Sequence, residues 1–209
     1  MHYMKTSEVE TEAIRCCPMA TKPSDPVGTI GPSGLGRVDA GVTGGRYRAW
    51  GKTKPLLVHG VAEGYYHGSY SMNSWVSVPD EKARLIIGGG PAKFFWKTAD
   101  IAHAAQIPVY LDSWWWCAWP RDTDAPPQHE DDRTNFPCGC RNSIHRFCID
   151  RHDGCINAVF LDNSVRRVGL KELWTLQWHR NYRTTGSWTK AGGAEPSDWP
   201  QWMRKFKDY

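Results

Sequence analysis

The side chains best equipped for chemistry in this chain lie in the stretch "RHDGCINAVFLDNSVRRVGLKELW", residues 151–174, where His152 stands ten positions before Asp162. A carboxylate against an imidazole orients the ring and favours its charged form, so the pair is a candidate half of a catalytic or metal site. A functional pair needs a third member, and the sequence carries neither a Gly-x-Ser-x-Gly nucleophile elbow nor a His-Glu-x-x-His metal helix. Hydrolase chemistry from His152 and nearby carboxylates is therefore a third reading, behind a structural role and a binding module. The sequence favours a structural role, in which His152 pins the approach to a hairpin, and no catalytic residue is assigned.

Three further groups have chemical potential. Cys138, Cys140, Cys148 and Cys155 lie close together among seven cysteines, which suggests one or two disulfides formed outside the cytoplasm. A four-thiolate zinc site is the alternative, but the Cys-x-Cys spacing is tighter than structural zinc sites use. The acidic loop holding Asp122, Asp124, Glu130, Asp131 and Asp132 offers oxygen ligands for calcium, with Asp122, Asp124, Asp131 and Asp132 as candidates, although the spacing is not that of an EF-hand. "WWWCAW" offers Trp114, Trp115, Trp116 and Trp119 as a surface for a glycan, a lipid face or a neighbouring subunit, against the alternative of core packing. The run Gly88-Gly89-Gly90 is no phosphate cradle, because no Gly-Lys-Ser/Thr follows it.

The elements that must position these groups follow from pattern. Residues 1–20 read as a modest helix ending at Pro18, residues 21–52 as a Gly- and Pro-rich loop, and residues 117–140 as a second long loop. Strands are expected over 68–78, 83–89 and 107–116, with a short helix over 92–103 between the last two. "INAVFLD" (156–162) reads as a strand buried on both faces and "SVRRVG" (164–169) as its partner. Asp162-Asn163 between them fits a two-residue type I′ turn, since both residue types tolerate positive φ. Leu170, Leu173, Trp174 and Trp178 then mark one face of a helix over 170–182. A short terminal helix follows, capped by Ser197 or Asp198, with Pro200 in its first turn and Trp199, Trp202 and Phe206 as anchors. The class is α+β, in one domain spanning 21–209.

With 209 residues and a net charge of +4 spread without basic runs, nucleic acid is not an expected partner. No window is long and apolar enough for a membrane span, and no secretory signal follows Met1, so the chain as given is expected to be soluble.

His152, nine intervening residues and Asp162 at a hairpin resemble the His-x9-Asp-Gly motif of planctomycete-type, prepilin-like pseudopilin proteins. Asn163 stands where that motif has Gly, and it accepts the same left-handed geometry. "CCPMA" (16–20) is similar to the Cys-Pro after the family's N-terminal helix, "GSYSMNSWV" (68–76) to its Gly-Ser-Tyr-x-x-Asn-x-Trp strand, and "IPVYLDS" (107–113) to its Ile-Pro-x-x-x-Asp segment. "VGLKELWTLQWHRNY" and "WPQWMRKFKDY" are similar to the C-terminal signature of one subfamily.

The resemblance implies a pilin-like fold: an antiparallel sheet packed on an N-terminal helix, with a C-terminal hairpin and short helices. It implies a non-catalytic subunit of a type IV pilus or type II secretion-like assembly, with His152, Asp162 and Asn163 as a structural motif and pilin-like subunits or secretion proteins as partners. The place implied is the cell envelope, periplasmic or extracellular. A family member begins with a Gly-Phe-Thr-Leu-Ile-Glu type cleavage site and an apolar helix, its membrane link; residues 1–20 are the expected remnant of that helix. No cofactor is expected. An extracellular module binding glycan or calcium is the alternative.

Overall fold

Alternation organises the sheet. In the computed structural model, which describes residues 15–22, 41–52, 66–77, 91–96, 98, 101–130, 132 and 142–209, the strand Cys155–Phe160 buries Ile156, Ala158 and Phe160, while Cys155, Asn157 and Val159 stay half-buried. The expectation of burial on both faces is thus corrected. One face meets the core, and the other is partly open.

The strands in chain order are β1 (Gly41–Val42), β2 (Trp50–Lys52), β3 (Tyr66–Gly68), β4 (Tyr70–Asn73), β5 (Pro108–Asp112), β6 (Cys117–Ala118), β7 (Cys155–Phe160) and β8 (Val165–Gly169). They form a three-stranded sheet, β1-β2-β3, and a five-stranded sheet, β6-β4-β5-β7-β8. The larger sheet is mixed: β4 and β6 run parallel and its other pairs are antiparallel. Strands therefore occupy parts of both expected loops, at 41–42 and 50–52 in the first and at 117–118 in the second. The expected helix over 1–20, the strand over 83–89, Gly88–Gly90, Asp131, Cys138 and Cys140 lie wholly or mostly outside the described residues.

Helix formation is where sequence and structure part. Apart from Arg15, which is α-helical, helical structure among the described residues consists of short 3-10 turns, so the fold is mostly β. In 170–182 only Lys171–Thr175 winds. Leu170, Leu173, Trp174, Leu176 and Trp178 are all buried, more than one helical stripe can hide. An extended Leu176 (φ −79°, ψ 150°) lets them point into the core from several sides. The bonds a helix would use go elsewhere: Leu173 C=O accepts from the Trp178 indole (2.7 Å), and Gln177 N–H donates to Gln106 C=O (2.9 Å). The expected terminal helix is likewise two turns, Pro196–Asp198 and Gln201–Met203. Pro200 forces Trp199 into an extended conformation (φ −74°, ψ 146°), which ends the first turn. Glu195 and Asp198 cap that turn reciprocally.

The strand expected over 68–78 stops at Asn73. Its side-chain oxygen accepts from Trp75 N–H (3.1 Å) and opens the 3-10 turn Ser74–Val76. The Asn73 amide then donates to Pro108 C=O and Trp178 C=O (both 2.9 Å), tying β4 to β5 and to the segment crossing the core face. Around it pack the fully buried Trp75, Trp174, Trp178 and Phe147. Between 92 and 103 the described residues wind only at Ala92–Phe94, with a further turn at Ala104–Gln106.

The β7–β8 hairpin exists, with a different turn. Asn163 N–H donates to Phe160 C=O and Phe160 N–H to Ser164 C=O (both 2.9 Å), so the loop is Leu161-Asp162-Asn163. Asn163 alone among these residues has positive φ (66°). This is the three-residue hairpin loop, a type I turn closed by a left-handed residue, rather than a two-residue type I′ turn.

Candidate functional site

His152 does meet a carboxylate, but it is that of Asp112. At the end of β5, Asp112 Oδ2 lies 3.1 Å from His152 Nε2. Asp162 is fully exposed at the hairpin tip, where its Oδ1 accepts from Ser164 N–H (2.9 Å) and Ser164 Oγ (2.6 Å). Those bonds hold the Asp162 carboxyl below its usual range. The expected His152–Asp162 pairing is corrected accordingly. The β7 strand carries Asp162 away from His152, whereas register places Asp112 opposite Tyr70 and beside Asn157.

Three chain segments converge on His152. Cys17 Sγ lies 3.3 Å from Nε2, and the Asn157 side-chain amide lies 3.0 Å from the same nitrogen. Cys17 is held by its own N–H, which donates to Ser69 Oγ. Burial pushes the Cys17 thiol up. Tyr70 is pushed up to about 12, first by burial and then by the Asp112 charge. Both therefore carry their protons at neutral pH. The His152 side chain keeps 21 % exposure, beside a carboxylate that is itself 0 % exposed.

Beneath the cluster Arg151 makes the site possible. Its guanidinium is fully buried and donates from Nη1 to Asp112 Oδ1 (2.8 Å) and Ser69 C=O (2.7 Å). Nη2 donates to Gly45 C=O (2.8 Å) and Ser113 C=O (3.2 Å), and Nε to Arg46 C=O (3.0 Å). Every N–H of the fork thus has an acceptor, as a buried arginine requires. Asn157 N–H donates to Asp112 Oδ2 (2.8 Å), so the carboxylate is fixed from both sides. Gly68 admits the approach of the 15–17 segment: a Cβ there would come within 2.8 Å of the Trp50 ring and 3.2 Å of Arg15 C=O.

Beside the cluster the open face of the large sheet forms an apolar groove of about 610 Å³, lined among others by Arg15, Trp50, Tyr70, Met72, Tyr110 and Val159. The geometry is not that of a nucleophilic triad. There, the carboxylate and the nucleophile use different ring nitrogens, so that a proton passes through the imidazole. Here Cys17 and Asp112 both crowd Nε2. The arrangement suits a structural lock, and Cys17, Asp112 and His152 are the one group among the described residues whose donor atoms could meet at a metal ion.

The other candidates resolve differently. Asp124 is buried, and its carboxylate accepts from the N–H groups of Arg121 (3.0 Å), Asn142 (3.0 Å) and Ile144 (3.1 Å). Burial raises it to about 6 against those bonds. It clamps the loop from within rather than facing an ion. Asp132 accepts from Gln128 N–H (3.1 Å), and Asp122, Asp124 and Asp132 form no metal-competent group among the described residues. Asp131, the fourth residue of the expected calcium set, lies outside the described residues.

Trp114, Trp115 and Trp119 are buried and Trp116 packs partly buried against the core, which corrects the exposed tryptophan surface. Cys148 and Cys155 are thiols, not disulfide partners. Sequence reasoning passed over Arg151, and it noticed Cys17 and Asp112 only as parts of the Cys-Pro and Ile-Pro-x-x-x-Asp stretches. Comparison of the chain with family models, with curated proteins and with solved structures finds no match.

Proposed function

We propose that this protein is a non-catalytic, pilin-like subunit of a type IV pilus or type II secretion-like assembly, acting at the cell envelope through contacts with similar subunits. One observation carries the reading. Four separate stretches that resemble the pseudopilin-like family supply Cys17, Ser69-Tyr70, Asp112 and His152, and all meet in a single buried cluster. A family pattern spread over the chain has a physical cause when its residues hold one another in place. A lock of this kind calls for fixed identities without any reaction.

Two features agree with the proposal. Antiparallel β4, β5, β7 and β8 present one covered and one partly open face. Arg15 lines the apolar groove on the open face, where a pilin-like arrangement would lay the N-terminal helix. No helix of the described residues is long and apolar enough to cross a membrane, so the proposal requires a further apolar segment ahead of them. The test is the genomic DNA upstream of the Met1 codon. The expected result is an in-frame Gly-Phe-Thr-Leu-Ile-Glu type site followed by about 20 apolar codons. In-frame stop codons immediately upstream would overturn the proposal.

A further inference from the structure

His152 is surrounded by atoms of metal-ligand type, which also hydrogen-bond among themselves: the Cys17 thiol with Asp112, and Tyr70 with Cys17. His152 Nε2 can offer one N–H or one lone pair, yet Cys17 Sγ, Asp112 Oδ2 and the Asn157 amide all lie within 3.3 Å of it. The ring nitrogen can serve only one of the three at a time. A cation at their centre would satisfy the sulfur, the oxygen and the nitrogen together. The three ligand atoms of Cys17, Asp112 and His152 lie within 4.8 Å of one another.

We propose that Cys17 Sγ, Asp112 Oδ2 and His152 Nε2 bind a single divalent transition-metal ion of the zinc class, with a fourth position turned toward the groove beside Asn157 and Tyr70. The donor set selects the ion. One thiolate, one imidazole and one carboxylate oxygen suit tetrahedral zinc, whereas calcium and magnesium require a shell of oxygens. Bond lengths of tetrahedral zinc imply N···S near ~3.5 Å and N···O near ~3.3 Å. The observed separations of 3.3 and 3.1 Å are each about 0.2 Å shorter, so the two contacts to His152 need to open only slightly.

Supporting bonds orient the ligands as metal sites require. Arg151 and Asn157 N–H hold the carboxylate, Ser69 holds the Cys17 backbone, and the His152 backbone N–H, which fixes the main chain rather than the ring, donates to Cys155 C=O (3.1 Å). With Arg151 beside a doubly charged ion and two anionic ligands, the site is net positive, which favours an anion or a hydroxide at the fourth position. The inference is independent of assembly into a filament.

Cobalt(II) reports such a site directly, because thiolate ligation gives a near-ultraviolet charge-transfer band and tetrahedral geometry gives intense visible bands. Reduced, chelator-treated full-length protein is titrated with cobalt(II). The expected result is both bands saturating at one equivalent and vanishing when zinc(II) is added. They should persist in a Cys138→Ser/Cys140→Ser variant and be lost in Cys17→Ser. Absence of the charge-transfer band in the wild-type protein, or its survival in Cys17→Ser, overturns the proposal. Should Cys17→Ser fail to fold, alkylation of the wild-type protein with and without zinc(II) decides. Protection of Cys17 but not of Cys155 supports the site, and equal labelling of Cys17 in both conditions overturns it.

Discussion

Arg151 and Asp112 show how one buried ion pair can organise a protein of this size. A guanidinium taken fully out of water is tolerable only because each of its donors has an acceptor and one acceptor carries the balancing charge. Asp112→Asn removes that charge and leaves the cation uncompensated, so unfolding stability should fall by about 3–5 kcal/mol. Asp162→Asn, at an exposed turn, should move the urea midpoint far less. Equal effects of the two substitutions would place the structural carboxylate at the wrong residue. Spacing along the chain singled out Asp162 because it was the aspartate next along the motif. Asp112 becomes the partner only through strand pairing between β5 and β7, a contact that no local pattern encodes. Cys17, 135 residues from His152, was legible only as part of a family resemblance, never as a neighbour.

At the scale of elements, the hairpin was readable and its turn was not. Asp-Asn between two apolar strands signals a reversal, but the choice between two- and three-residue loops depends on which residues pair. Here Val159 pairs with Val165, and Phe160 and Ser164 close the loop. Only Asn163 must then take a left-handed conformation. Asn163→Gly should be close to neutral, whereas Asn163→Val should cost about 1–2 kcal/mol, from the side-chain clash at positive φ. Equilibrium urea unfolding measures both. A tolerated valine would show that the turn relaxes, against the bond between Asn163 N–H and Phe160 C=O. The 170–182 segment failed as a helix for a related reason. Its apolar residues match a helical stripe on paper, but indole N–H groups and neighbouring loops compete for its backbone, and the tertiary bonds prevail.

Across the whole molecule, burial sets an acid response through two groups of opposite sign. His179 is buried against Phe94 and Trp75, with ring centroids 4.4 and 5.1 Å away. Burial lowers it from 6.5 to about 4. Its Nδ1 accepts from Asn181 N–H (3.2 Å), as a neutral ring does. The folded state resists protonation, so this contribution is complete above about pH 6.5 and is lost as the pH falls toward 4. The shift corresponds to about 3 kcal/mol. Asp124, raised from 3.8 to about 6, acts the other way: its charged form is disfavoured on folding, so stability rises as the pH falls through 6 toward 3.8. Thermal melting from pH 7 to 4 should therefore show His179→Gln gaining stability relative to wild type as acid is added. Parallel curves would mean that His179 titrates normally in the folded protein.

The cluster around His152 also has a history in time. Cys17, Ser69 and Asp112 leave the ribosome well before Arg151 and His152, and the last partner must close a loop of 135 residues. Closing so long a loop is slow, and it must precede the bonds that make it favourable. Until about three-quarters of the chain exists, the Asp112 carboxylate has no guanidinium and the Cys17 sulfur no imidazole. A nascent chain therefore carries the Cys17 thiol without the imidazole that lies against it in the folded protein until residues 151–152 arrive. The cluster that ties four stretches of the finished protein together is thus the last to be completed as the chain is made.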